Sequence, residues 1–346
     1  MQHFKGSIIV TILGLIAGGF LGWFNTGTIE GVATTLFIVA ILAVLEVSLS
    51  FDNAVVNAAV LEHMDELWRR RFLTWGIAIA VFGMRIVFPL LIVAIIAQLG
   101  PIETISLVVT NPDEYSRIIT SAHVSVAAFG GSFLAMVGLK YFFDIHKTVH
   151  WIELIERPLT KIGRIEAVEL GLVMLLLWLI GRELPNADQI AFYVSGMLGL
   201  VTYIAVDGIS AVLDAESIVT KAAARSGAAS FLYLEVLDAS FSFDGVIGAF
   251  ALSSNLFIIT IGLGIGAMFV RSLTIMLVSK GTLAEYRYLK HGAFYAIVAL
   301  GVIMFVKTIY HIPEALTGLI GAVFILLSLW DSMSYNKKAL ETNKKN

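Results

Sequence analysis

The chain contains no cysteine and few charges, 23 Lys plus Arg and 26 Asp plus Glu making 14% of its 346 residues. Without cysteine there are no disulfides, thiolate metal sites, thioether-bound haem or cysteine nucleophiles, so any metal must be held by oxygen or imidazole. An ordinary soluble domain carries about a quarter charged residues, so a water-covered surface is excluded as well. No long run of one sign accompanies the net charge of −3, and no nucleic-acid partner is expected. No small-residue cleavage site follows the first apolar stretch, GSIIVTILGLIAGGFLGW, which reads as a span and not as a signal peptide. No Walker Lys-Ser pair follows GLGIGAMFV or AGGFLG, so these glycine-rich strings read as close helix-packing faces.

What the chain does have is apolar sequence. At about 20 residues per crossing, 58% hydrophobic residues suffice for about ten spanning helices. Low-charge stretches place them at 7–24, 32–61, 72–98, 123–143, 168–185, 189–210, 228–252, 255–279, 291–310 and 313–331. The expected fold is all-α, because only helices and closed barrels satisfy their backbones in lipid. Cations test the count, since Lys and Arg gather in cytoplasmic loops. Lys5, Arg69 to Arg71, Lys147, Arg157, Lys161, Arg164, Lys221, Arg225, Lys280, Arg287, Lys290 and the Lys-rich tail fall in every second loop. Arg117, Arg182 and Lys307 alone fall in the others. Both termini are then cytoplasmic, and residues 144–167, with Trp151, Ile152, Leu154 and Ile155 among charges, suit a helix at the cytoplasmic interface.

The chain also repeats. Glu46-Val-Ser-Leu-Ser-Phe-Asp52 lies without a gap over Asp238-Ala-Ser-Phe-Ser-Phe-Asp244, and Arg85 and Arg271 follow in the next span of each copy. Copies five spans apart must have opposite orientation, the inverted-repeat plan of secondary transporters.

Glu46, Asp52, Glu235, Asp238 and Asp244 interrupt two otherwise apolar spans. A carboxylate at a helix centre costs about 2.5–3.5 kcal/mol even on the lenient insertion scale, so such groups face a partner or a wet cavity. At about 100° per residue, Glu46, Asn53 and Asn57 share one helix face while Asp52 points about 120° away. Either that face is broad, or the helix is broken or bent near Ser48 and Ser50, whose hydroxyls can bond back to carbonyls, with Gly245 and Gly248 playing the same part in the second copy; interrupted or bent helices are expected. Carboxylates and amides form an all-oxygen set with no His in either motif, which suits hard divalent ions such as manganese, magnesium or calcium. The expected metal ligands are Glu46, Asp52, Asn53, Glu235, Asp238 and Asp244, with Arg85 and Arg271 as counter-ions that occupy the carboxylates in turn.

The strings EVSLSFDNAVV and EVLDASFSFDGV resemble the two acidic helices of the TerC family of integral membrane proteins, within the wider lysine-exporter-like superfamily. Arg271, YLKHGAFYAIVALGVIMFVK and YHIP from Tyr310 to Pro313 are similar to that family's later stretch. Gly245 stands where the family's second motif usually has Ser. The resemblance implies manganese efflux, with links to tellurite resistance and to metal supply for exported proteins. The resulting expectation is a metal-cation exporter in a bacterial plasma membrane, coupled to protons, with lipid as its other partner and no resident cofactor. The alternatives are an intramembrane aspartyl hydrolase built on Asp52 and Asp244, against which SFDN and SFDG lack the usual Tyr-Asp and Gly-x-Gly-Asp contexts, or a scaffold without transport.

Overall fold

A computed structural model describes residues 2–62, 64–76, 78–165, 167–216 and 227–343. All regular structure among them is helical: α1 (Lys5–Thr26), α2 (Ile29–Leu49), α3 (Phe51–Leu61), α4 (Glu66–Arg71), α5 (Phe88–Ala97), α6 (Pro101–Thr110), α7 (Pro112–Ser121), α8 (His123–Phe142), α9 (Glu153–Ile162), α10 (Val168–Gly181), α11 (Asn186–Glu216), α12 (Gly227–Phe250), α13 (Leu256–Ser279), α14 (Thr282–Glu285), α15 (Leu289–Lys307) and α16 (Glu314–Asn343). Between α4 and α5 the chain winds as π-helix over Phe72–Gly76 and Ile79–Val87.

Among the described residues seven helices, α1, α2, α8, α11, α13, α15 and α16, are long and apolar enough to cross a membrane. The two halves of the stretch from Glu66 to Ala97, bent by 44°, make an eighth if they are one span. Rows of exposed apolar side chains, such as Ile9, Ile12, Ile16 and Phe20 on α1 or Ile190, Val194 and Val201 on α11, are stable only against lipid. The chain is an integral membrane protein. Seven or eight crossings thus stand where ten were expected. The difference is α10 and α12: α10 has 14 residues, short of a hydrocarbon core that needs about 20, and α12 carries Glu235, Asp238 and Asp244.

The helix ends gather in two sets. At one end the rings of Tyr115 on α7 and Phe250 at the end of α12 lie 5.9 Å apart, with Val93, Ile119 and Leu256 packed around them. At the other, Trp68 on α4 meets Phe231 near the start of α12 at 5.8 Å. Here lies α9, with Leu154 outward. Its inner face carries a charge cluster that was not expected. Glu156, with no exposed surface, accepts from the backbone N–H groups of Trp151 and Ile152 and pairs with Lys147 Nζ at 2.7 Å. Burial pushes the Lys147 ammonium below its ordinary range while Glu156 draws it back up. His291 on α15 donates to the Val149 carbonyl, and Trp151 Nε1 donates to Asp331 on α16, so the segment is tied to two helices.

Small residues set the helix spacing. α13 crosses α2 so closely that a Cβ on Gly262 would sit 2.5 Å from Leu42 Cβ, and one on Gly266 2.7 Å from the Ala43 carbonyl oxygen and 2.5 Å from Glu46 Cβ. These glycines belong to the GLGIGAMFV string, and Gly18 and Gly22 of AGGFLG pack α1 on α2 in the same way. Overpacking predicts that Gly266→Leu lowers stability in detergent by about 1–3 kcal/mol, read as a fall in the thermal midpoint. Gly171→Leu, where a Cβ meets nothing within 4 Å, should leave the midpoint unchanged. Equal midpoints for both variants would contradict a close crossing of α2 and α13.

Candidate functional site

The site begins where α2 stops. Ser50 leaves helical dihedrals, with φ −107° and ψ 16°, while its N–H still bonds the Glu46 carbonyl at 2.9 Å, so α2 and α3 meet at a one-residue break where one was expected. The chemistry at the break differs from the expectation. Ser48 Oγ does bond back to the Val44 carbonyl, but Ser50 Oγ donates to the Glu46 carboxylate at 3.0 Å instead of to the backbone. No break marks the second copy: α12 runs unbroken from Gly227 to Phe250 through Gly245 and Gly248.

Glu46, Ser50, Asn53 and Asn57 face one cavity of about 70 Å³ between α2, α3, the π-helical stretches, α12 and α13. Asp238 and Ser242 of α12, Arg85 of the second π stretch, and Arg271 and Thr274 of α13 complete its polar lining. A cavity of this size holds several waters or a small ion, since one water needs about 10–15 Å³ by this measure. Arg85 makes a charge-assisted bond to Glu46 Oε1, both side chains being nearly fully buried. Asn57 Nδ2 donates to Asp238 Oδ1 at 2.9 Å, and this bond orients the amide so that Asn57 Oδ1 faces away from the carboxylate. Arg271 donates to the Leu73 carbonyl in the first π stretch.

Three lining oxygens, Asn53 Oδ1, Asn57 Oδ1 and Ser242 Oγ, are buried with no hydrogen-bond partner among the described residues. A buried acceptor without a donor is costly, and the cost disappears when a cation or a water supplies the missing positive end. The lining therefore combines carboxylates, open amide and hydroxyl acceptors and two guanidiniums in one small space.

The sequence-derived ligands divide. Glu46, Asn53 and Asp238 share the cavity. Asp52 does not: it is buried on the opposite side of α3, where a Cβ on Gly321 of α16 would meet Asp52 Oδ2 at 3.1 Å. The single-residue break leaves the helical phase intact, so Asp52 keeps the offset it has on a continuous helix. Glu235 lies behind the cavity wall, its Oε1 2.9 Å from where a Gly76 Cβ would be. The side chain of Asp244 lies outside the described residues, so its pairing with Arg271 is untested. Among the described residues no group of three or more His, Asp or Glu is arranged to hold a metal ion. Ser242 and Thr274 were missed, and Asn57 stood outside the expected ligand set. Ser242 lies one turn after Asp238, a spacing the sequence offered. Thr274 lies three residues beyond Arg271 and had no such signal.

The buried pair makes a prediction. Removing one partner of a buried ion pair strands the other, so Arg85→Met should cost about 3–5 kcal/mol of stability. Arg85→Met with Glu46→Leu should recover most of it, as read by chemical denaturation in detergent. An unaltered single variant would mean that the pair is not desolvated.

The comparison with protein families overturns the resemblance to TerC. The match runs over residues 51–339, from the first turn of α3 into α16, and the matched family is described only as a protein of unknown function, DUF475. Glu46 lies just before the matched region. No curated protein and no solved structure matches the chain. The strings that carried the TerC resemblance are short, and acids spaced along an apolar helix arise wherever a bundle needs a polar interior. The match covers most of the chain, and the chain belongs to the DUF475 family.

Proposed function

We propose that this protein is a secondary transporter that moves a hard cation through the cavity between α2, α3, α12 and α13 in exchange for protons. The observation that carries the reading is the lining: carboxylates from two different helices, Glu46 and Asp238, open with unpartnered amide and hydroxyl oxygens on one small space. Oxygen donors of mixed charge suit magnesium, calcium or manganese. Manganese as first choice rested on the TerC resemblance; without it the substrate is the class, a hard divalent cation.

In this reading Arg85 is a built-in competitor. A cation binding Glu46 must displace the guanidinium, and the guanidinium returns when the cation leaves, so Glu46 need never be buried without a positive partner. Protons compete for Glu46 and Asp238 as well, which couples the two flows through shared anions.

An inverted repeat of ten spans belongs to this proposal, with the short α10 and the acidic α12 completing the count. With α1, α2 plus α3, the bent stretch, α8 and α10 mapped onto α11, α12, α13, α15 and α16, several neighbour relations exchange. α2 against α13 becomes α12 against Ile79–Val87, and α3 against α15 becomes α12 against α8. Likewise α1 with α2 becomes α11 with α12, and α8 with α10 becomes α15 with α16. The close pairs α8 with α11 and α1 with α13 have no comparable counterpart. The two sets of helix ends also suit basic loops, and both termini, on the cytoplasmic side. The aspartyl-hydrolase alternative loses ground because Asp52 faces α16 and not the cavity.

The test uses the purified full chain in proteoliposomes with manganese, magnesium and calcium supplied separately. At least one ion should be taken up faster when a proton gradient is imposed, and uptake should fall to the protein-free leak in Asp238→Asn. Equal uptake by wild type and variant, or no uptake of any of the three, would overturn the proposal.

A further inference from the structure

A second cavity, of about 670 Å³, opens at the end of the bundle where α9 lies and shares no lining residue with the one between α2, α3, α12 and α13. Its volume falls within the range of about 300–1,000 Å³ typical of small-molecule clefts. Five charged side chains line it: Lys140 in the last turn of α8, Asp144 just beyond that helix, Glu169 in the first turn of α10, Asp207 on α11 and Lys290 in the first turn of α15. Tyr203, Tyr233 and Phe294 supply an apolar wall beside them.

Helix packing sets these charges against one another. α8 and α11 run side by side in the same direction, with Gly199 against Phe129 and the Tyr203 ring 5.9 Å from that of Phe133, so Lys140 and Asp207 come within about one turn of the same level. α10 lies antiparallel to α11, with Gly181 against Tyr193 and Gly196 against Leu177, which brings Glu169 within about one turn of Asp207. Among the described residues none of Lys140, Glu169 and Asp207 forms an ion pair, so two acids and a lysine share a cavity without closing on each other. A further wall is fixed in place. Asp144 Oδ1 accepts from the His146 N–H at 2.9 Å, and a Cβ on Gly163 would lie 2.0 Å from the Phe143 carbonyl oxygen. Between these points the pair of Lys147 and Glu156 anchors the chain.

The chemistry of the lining limits the occupant. Among the described residues no three of His, Asp and Glu converge to hold a metal ion, and three carboxylates against two lysines disfavour a simple anion. A molecule carrying both an ammonium and an acidic group satisfies both signs at once through charge-assisted hydrogen bonds. The cavity also lies at the ends of α8, α11 and α15, helices long enough to cross a membrane, and so at the depth of lipid head groups, which dock in charged pockets between spans. We propose that this cavity binds a zwitterion whose primary ammonium and phosphate lie a few bonds apart, the ammonium on Glu169 and Asp207 and the phosphate on Lys140. The head group of phosphatidylethanolamine and free phosphoethanolamine share this chemistry. The clamp at Glu156 then fixes one wall of a binding site.

The proposal stands apart from transport, since the two cavities have no residue in common. Its test mixes the purified full chain in detergent with equal amounts of phosphatidylethanolamine and phosphatidylglycerol and reads the retained lipid by native mass spectrometry. The thermal midpoint is followed separately against free phosphoethanolamine. A lipid occupant predicts that phosphatidylethanolamine is retained over phosphatidylglycerol, which has no ammonium; a free occupant predicts a saturable rise of the midpoint with phosphoethanolamine. Whichever response is seen should weaken roughly tenfold in Asp207→Asn and in Lys140→Gln, the scale of losing one charge-assisted hydrogen bond. Glu169→Gln, on a different helix, repeats the test should Asp207→Asn fail to fold. Equal retention of the two lipids together with no response to phosphoethanolamine would mean a cavity filled by water and would overturn the proposal. A response that none of the three substitutions weakens would place the zwitterion elsewhere and overturn it equally.

Discussion

The bond between Arg85 and Glu46 is the interaction on which the rest of the interior depends. A carboxylate behind Gly266, at a crossing too tight for any side chain, cannot be solvated by bulk water and must carry its counter-charge with it. The guanidinium arrives from a stretch wound as π-helix and bonds the same carboxylate oxygen that accepts from Ser50. The break at Ser50 follows from the same demand, since its hydroxyl is spent on the carboxylate. Close packing, an irregular helix and a one-residue break thus converge on one small polar space.

That space leaves several of its polar atoms open. Asn53, Asn57 and Ser242 each hold a buried acceptor open beside it. The buried cluster at Glu156 differs in its pairing. There a fully buried carboxylate has an ammonium and two backbone N–H groups within reach, and the outcome is a clamp that ties residues 144–162 to α15 and α16. The two clusters show the difference between charge buried to hold a fold together and charge buried around a cavity.

Much of this was legible in the residues. The all-helical membrane class follows from composition, and steps of seven and eleven residues put Glu46, Asn53 and Asn57 on one face, where the cavity is. The same arithmetic turned Asp52 away, and a bend was invoked to rescue it; the break at Ser50 is real but too slight to change the phase. No break interrupts α12 at Gly245 and Gly248, because a helix in lipid keeps its ladder bonds unless something replaces them, and glycine alone supplies no replacement. Lys147, Glu156 and His291 were unreadable as a cluster, because nothing local links residues so far apart in sequence. The family resemblance misled for a related reason: two acidic strings report a polar helix face, and many families need one.

The central claim is that Glu46 and Asp238, from helices far apart in sequence, serve one cation together. Its most direct test is a thermodynamic cycle on manganese affinity, measured by calorimetry on the purified chain for wild type, Glu46→Gln, Asp238→Asn and the double variant. Two ligands of one ion predict that either substitution weakens binding strongly and that the second adds little to the first. Independent, additive losses, or affinity that neither substitution changes, would contradict it.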